Sequence, residues 1–164
     1  MIAGETRSDA GALEGTVVSV GGVVPGEVAP HSANPTYHPE VVDGPLSVRA
    51  LLRVDEALRL ADASTALTFS IYIGELGENS REAAELLHGR LADPDVSILI
   101  AISPNERVVE VVTGSLARRR INDRDAKLAA LSMSAAFAGG DLGGGIVAGL
   151  AQLADHAGRP PTSR

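Results

Sequence analysis

Two short apolar runs, Val96–Ile102 and Val108–Gly114, constrain this chain more than any other feature. They are joined by the polar turn Ser103-Pro104-Asn105-Glu106 and are too short and too rich in β-branched residues for ordinary helices. Such a pair reads as a β-hairpin. Upstream, Leu67-Thr68-Phe69-Ser70-Ile71-Tyr72-Ile73 alternates apolar and polar residues, which puts Leu67, Phe69, Ile71 and Ile73 on one strand face. Between these strands, Asn79 and Glu82 have capping-box spacing and open a helix expected to run through Leu91, before Pro94 ends the unit. A strand, helix and strand of this length make a parallel crossover, and the hairpin then adds an antiparallel strand. The expected architecture is α/β: strands near 67–73, 96–102 and 107–113 in one mixed sheet, with helices on both faces.

Three further helices surround this centre. Ser47 is the expected N-cap of a helix reaching Ala63-Ser64-Thr65, with Val48, Leu51, Leu58 and Ala61 at helical spacing. Asn122 or Asp123 caps another, with Leu128, Leu131 and Ala135 on one side and so many apolar residues around it that it should be largely buried. The last, about Leu142–His156, carries Ile146, Val147, Leu150, Leu153 and Ala154 as one stripe. Residues 46–157 are the expected domain, after an extension of 1–45 and before a tail of 158–164. Residues 1–14 are small and polar and should be disordered. Gly15–Val20 and Val23-Val24 could form a strand pair, and the prolines from Pro25 to Pro45 should hold their segment extended along the surface. His31 and His38 fall there and read as solvated loop residues.

Composition excludes several functions. The chain has no Cys, so disulfides, thiolate metal sites and Cys nucleophiles are out. Its formal charge of −7 disfavours nonspecific contact with nucleic acid or an anionic membrane. No apolar run is long enough for membrane insertion and no secretory signal is visible, so the cytoplasm is the default location. Aromatics are only 2% of residues, so close packing of small aliphatic side chains has to replace large rings in the core.

Candidate chemistry is sparse. Gly143-Gly144-Gly145-Ile146-Val147-Ala148 fits the dinucleotide pattern formally, but a helix precedes it instead of a strand. A flexible joint between two packed helices is the better reading of those glycines. Arg118-Arg119-Arg120 could grip a phosphate with bidentate hydrogen bonds, or be a solvated loop after a strand. Asp123 and Asp125 equally suit a helix cap and first turn. There is no Ser-His-Asp order, HExxH pattern or phosphate-binding lysine motif.

From Ser47 to Ala157 the order of elements resembles the TPM domain, a family typified by thylakoid-lumen proteins of photosystem II repair. Asp95-Val96-Ser97 is similar to that family's Asp-Asn-Gly before an apolar strand, and Arg107 to Gly114 to its Arg, short strand and Gly. Ile121-Asn122-Asp123 stands in the place of its Leu-Thr-Asp, and Phe137-Ala138-Gly139-Gly140-Asp141-Leu142 is similar to its Phe-x-x-Gly-Asp-Tyr. A largely uncharacterised actinobacterial branch shares the arginine run and the closing Gly-Asp-Leu phrase.

The resemblance implies loop aspartates that bind calcium at one end of the sheet, and a plant member is described as an acid phosphatase. Carried over, the metal candidates are Asp95, Asp123 and Asp141, and the phosphate candidates are Arg118, Arg119 and Arg120. Three carboxylates with carbonyls and water could serve a hard cation that wants ~6–8 oxygens. Three functions are expected on this basis. The first is a non-catalytic TPM-like module that binds a protein partner or, weakly, a divalent cation. The second is a metal-assisted phosphomonoesterase. The third is a structural oligomerisation domain, of a size the sequence does not set.

Overall fold

The protein is described by a computed structural model covering residues 45–162, together with the strand segments 15–19 and 22–23. Residues 1–14 and the proline-rich run holding His31 and His38 lie outside the described residues.

The sheet has five strands: β1 (Gly15–Ser19), β2 (Gly22–Val23), β3 (Thr68–Gly74), β4 (Ser97–Ser103) and β5 (Val108–Thr113). Their spatial order is β2-β1-β3-β4-β5. β3 and β4 run parallel with Phe69 opposite Ile98 and Ile71 opposite Ile100, as a strand–helix–strand crossover requires. β4 and β5 are antiparallel, with Ile100 opposite Val111, so the hairpin and the mixed sheet expected from the sequence are both present. The short strand pair expected in the N-terminal extension also forms, and β1 joins the sheet beside β3. The sheet therefore begins at Gly15, well ahead of residue 46.

Among the described residues, four helices cover both faces. α1 (Val48–Thr65) is capped by Ser47, whose Oγ accepts from the Ala50 N–H at 3.2 Å. α2 (Ser80–Gly89) is capped by Asn79, which also donates from Nδ2 to Glu82 Oε2 at 2.7 Å. α3 (Asp123–Ala138) is capped by Asn122, and α4 (Leu142–Ala157) by Asp141. α2 packs on one face, where Tyr72, Leu99, Ala101 and Val112 meet Ala83, Ala84 and Leu87. The other three helices cover the opposite face over Phe69, Ile71, Ile98, Ile100, Ile102 and Val111. Removing a side chain such as Ile100 from water contributes roughly 1.5–3 kcal/mol, so this central row is the main apolar anchor of the domain. Among the described residues no helix is long and apolar enough to cross a membrane.

The helix face differs from expectation in α3. Ala126, Ala129 and Met133 are buried, whereas Leu128 and Leu131 are 43% and 58% exposed. The cause lies in α4. A Cβ at Gly145 would stand 2.7 Å from the Phe137 ring and 2.9 Å from the Ala136 Cβ, and one at Gly149 would stand 2.5 Å from the Met133 side chain. The two helices approach so closely that small residues, not the bulkiest ones, form their seam. This also corrects the flexible joint: Gly143, Gly144 and Gly145 are helical, in the first turn of α4.

Candidate functional site

Asp95, Asp123 and Asp141 serve local structure and do not come together. Asp95 lies in the 3-10 turn Pro94–Val96 that leads into β4, where its Oδ1 accepts from Ser115 Oγ at 2.9 Å. Its carbonyl accepts from the Leu116 N–H at 2.9 Å, and Gly114 passes so close that a Cβ there would overlap the Pro94 carbonyl oxygen. The glycine of the Arg-to-Gly motif is thus fixed by backbone crowding. Asp123 opens α3 and faces Arg118 Nε at 3.5 Å, both side chains well exposed. Asp141 lies beyond the other end of α3, with Oδ1 accepting from the Gly144 N–H at 2.9 Å as the cap of α4. At about 1.5 Å of rise per residue, α3 keeps Asp123 and Asp141 more than ~20 Å apart. Only Asp95 and Asp123 share an end of the sheet. Among the described residues no group of three His, Asp or Glu is placed to hold a metal ion.

The arginine triplet is divided in the same way. Arg118 reaches Asp123 and the Thr113 carbonyl, the latter at 3.4 Å. Arg119 is exposed. Arg120 turns inward: Nε and Nη2 donate to the Ala157 carbonyl at 3.2 and 3.1 Å, and further bonds go to the carbonyls of Thr65 and Gly158. Its charge therefore meets the C-terminal ends of α1 and α4, where helix dipoles favour a cation. The three guanidinium groups do not make one phosphate cradle, which corrects that expectation.

What sequence reading missed is a groove between β5 and α3. β5 is an edge strand. The Gly114 N–H points back to Ser97, so in a two-residue alternation the backbone groups of Val109, Val111 and Thr113 face the open edge. Two of those carbonyls are occupied, Val111 by Arg81 Nη1 at 3.0 Å and Thr113 by Arg118. Val109 keeps an outward N–H and C=O with no partner among the described residues. Two cavities of about 320 and 430 Å³ share Val109 and Ser134 as lining and so run together along this edge. Arg107, Phe137 and Leu142 line one end, and Arg81, Glu110, Asp123, Lys127 and Leu131 the other. The available signal was the placing of Leu128 and Leu131 off the Ala126, Ala129 and Met133 stripe.

Residues 15–154 match the sequence profile of one family, described as Domain of unknown function (DUF5130). The chain belongs to that family. The DUF5130 match starts on the first residue of β1, so the family unit includes the N-terminal strand pair. Two uncharacterized proteins of Mycobacterium tuberculosis, MT2543 of strain CDC 1551 / Oshkosh and Rv2468c of strain ATCC 25618 / H37Rv, are similar to it. Each is 30% identical over 139 residues, which is 85% of this chain and 79% of the relative. Two solution NMR structures share the fold. The N-terminal domain of a protein from P. gingivalis has a TM-score of 0.58 at 17% identity, covering 69% of this chain and 76% of that one. The N-terminal domain of the cg2496 protein from Corynebacterium glutamicum has a TM-score of 0.59 at 13% identity, covering 80% and 93%. At these identities the likeness is one of fold alone.

Charge in the groove of this DUF5130 domain is partly neutralised from within. Arg81 pairs with Glu85 at 2.9 Å and lies 3.7 Å from Glu110, which also accepts from Ser80 Oγ at 2.8 Å. In the β4–β5 turn, the Ser103 hydroxyl and the backbone N–H groups of Leu76 and Gly77 hold the Glu106 carboxyl below the usual carboxylate range. Glu106 accepts those two N–H groups at 2.8 and 2.9 Å. Neighbouring Arg107 pairs with no acid among the described residues. Among the described residues the arrangement offers apolar surface, one backbone pair without a partner, a cation without an acid beside it, and no nucleophile–base pair.

Proposed function

We propose that this DUF5130 chain is a non-catalytic, TPM-like module that binds a protein partner along the groove between β5 and α3. The observation that carries the reading is the exposure of Leu131 at 58% beside an edge strand whose Val109 backbone pair has no partner among the described residues. A large aliphatic side chain held outside the core, next to unpaired strand groups, matches the chemistry of peptide-recognition surfaces. The TPM-like order of elements is in keeping with this, and so is the use of the motif acids as helix caps and turn acceptors. A phosphomonoesterase of the kind expected would need all three aspartates and the arginines to converge, whereas α3 sets Asp141 apart and Arg120 turns to the carbonyls of Thr65, Ala157 and Gly158.

Site-specific photo-crosslinking tests the proposal. A photoreactive side chain at Leu131 should capture one protein in cells, and the same group at Leu52, 66% exposed on α1, should not. Leu131→Asp should then abolish the interaction when both proteins are purified. Capture of a second copy of the chain would favour the oligomerisation reading. Equal capture from both positions would refute a groove-specific partner.

A further inference from the structure

We propose that the Arg107 end of the groove is a binding pocket for a small apolar molecule bearing a single carboxylate. The cavity there is about 320 Å³, within the range of small-ligand sites. Its apolar walls are Val109, Phe137, Ala138 and Leu142, and few residues bring polar side chains to its lining, chiefly Ser134 and Arg107. Phe137 is one of only four aromatic residues in the chain (two Phe, two Tyr), and it stands at this wall.

Arg107 is the decisive residue. It closes the β4–β5 turn with its N–H donating to the Pro104 carbonyl at 3.3 Å, and its φ is +56°. This left-handed backbone favours Gly or Asn, so the turn itself gives no reason for a long cationic side chain. A strained position that keeps such a residue points to a role for the side chain. The chain has 21 acids against 14 bases, yet Arg107 pairs with none of the acids among the described residues. Glu106, next to it, is engaged by Leu76 and Gly77.

Arg107 is exposed and lines this apolar pocket, and its guanidinium matches a carboxylate in charge and in its planar, two-oxygen geometry. Inorganic phosphate would satisfy the charge but leave the apolar wall unused, and a neutral apolar molecule would do the reverse. Such a carboxylate could belong to a free aliphatic or aromatic acid, or to the last residue of a peptide chain. The pocket does not require that the rest of the groove bind a protein.

The test is an NMR titration of the full chain with octanoate, octan-1-ol and inorganic phosphate. Octanoate should shift the amide signals of Val109, Ser134, Phe137 and Leu142, and octanol should bind about tenfold more weakly, as expected for losing one charge-assisted contact. Phosphate should leave those signals unmoved. Arg107→Gly suits the left-handed backbone, so it keeps the fold and should bring octanoate down to the affinity of octanol. A Leu-terminated peptide, with its C-terminus free or amidated, distinguishes the source. Tighter binding of the free peptide than of octanoate assigns the site to a chain end, and weaker binding assigns it to a free acid. Octanoate shifts absent from these residues, equal affinity for octanol, or an unchanged Arg107→Gly would each overturn the proposal.

Discussion

Arg120 donates twice to the carbonyl of Ala157, through Nε at 3.2 Å and Nη2 at 3.1 Å, and so holds the C-terminus of α4. Through Nη1 it also holds Thr65 at the end of α1. One side chain thus satisfies carbonyls that two helices leave unpaired. Arg120→Met should destabilise the domain by roughly 2 kcal/mol, because the bonds are charge-assisted and part-buried. Arg118→Met, which breaks one exposed pair and one long hydrogen bond to the Thr113 carbonyl, should cost less, about 0.5–1 kcal/mol. Urea denaturation of both variants checks the contrast.

Ala66 sits just past α1 with φ of +61°, its N–H donating to the Asp62 carbonyl at 2.8 Å. A residue with a Cβ is strained by about 1–2 kcal/mol there. Glycine relieves this while adding freedom to the unfolded chain, so Ala66→Gly should stabilise by about 0.5–1 kcal/mol. An unchanged or lower melting temperature would contradict it.

Gly114→Ala tests backbone crowding. The new Cβ would overlap the carbonyl oxygen of Pro94 and lie 2.5 Å from that of Asp95, neither of which can rotate away. A loss of about 3 kcal/mol or more is expected, at the upper end for overpacking. Gly89→Ala, where a Cβ would meet nothing within 4 Å, is the control and should cause no loss.

Asp62 gives a pH dependence. Burial pushes its carboxyl from 3.8 up to about 6, against the hydrogen bond from the Phe69 N–H, which lowers it. The folded state therefore binds the proton more tightly than the unfolded state. Its contribution favours folding below pH 3.8 and is lost as pH rises through about 6. Asp62→Asn keeps an oxygen for Phe69 and should flatten stability over that window. It should gain about 1 kcal/mol at pH 7, a figure already reduced for solvent screening of a half-exposed group. Chemical denaturation at pH 4.5 and pH 7 measures the difference.

Much of the fold was legible because its signals are local. The β-branched runs gave β3, β4 and β5 to within a residue, and Ser47, Asn79 and Asn122 cap helices through their own side chains. The inward face of α3 was not legible. It depends on how closely α4 approaches, and that is set by Gly145 and Gly149 some twenty residues further on. The site was less legible still. Motif order brought Asp95, Asp123 and Asp141 into one expectation, but the length of α3 between the last two decides whether they can meet. The groove along β5 required knowing which strand ends the sheet, a property of the strand order that no local pattern carries.

The acids give the last prediction. A cation that binds only the native state raises stability, by about 2.7 kcal/mol at ~100 times its dissociation constant. A cage for calcium needs several oxygens converging on one point. Here Asp95 accepts from Ser115, Asp123 faces Arg118, and Asp141 caps Gly144. Binding would have to displace the Arg118 charge from Asp123 and could not recruit Asp141 from the far end of α3. Millimolar calcium should therefore leave the melting temperature within error of its value in chelator. Asp141→Asn keeps an oxygen for the Gly144 N–H and should change it little, and equally in both conditions. A calcium-dependent rise that Asp141→Asn abolishes would refute this and restore the aspartates as one site.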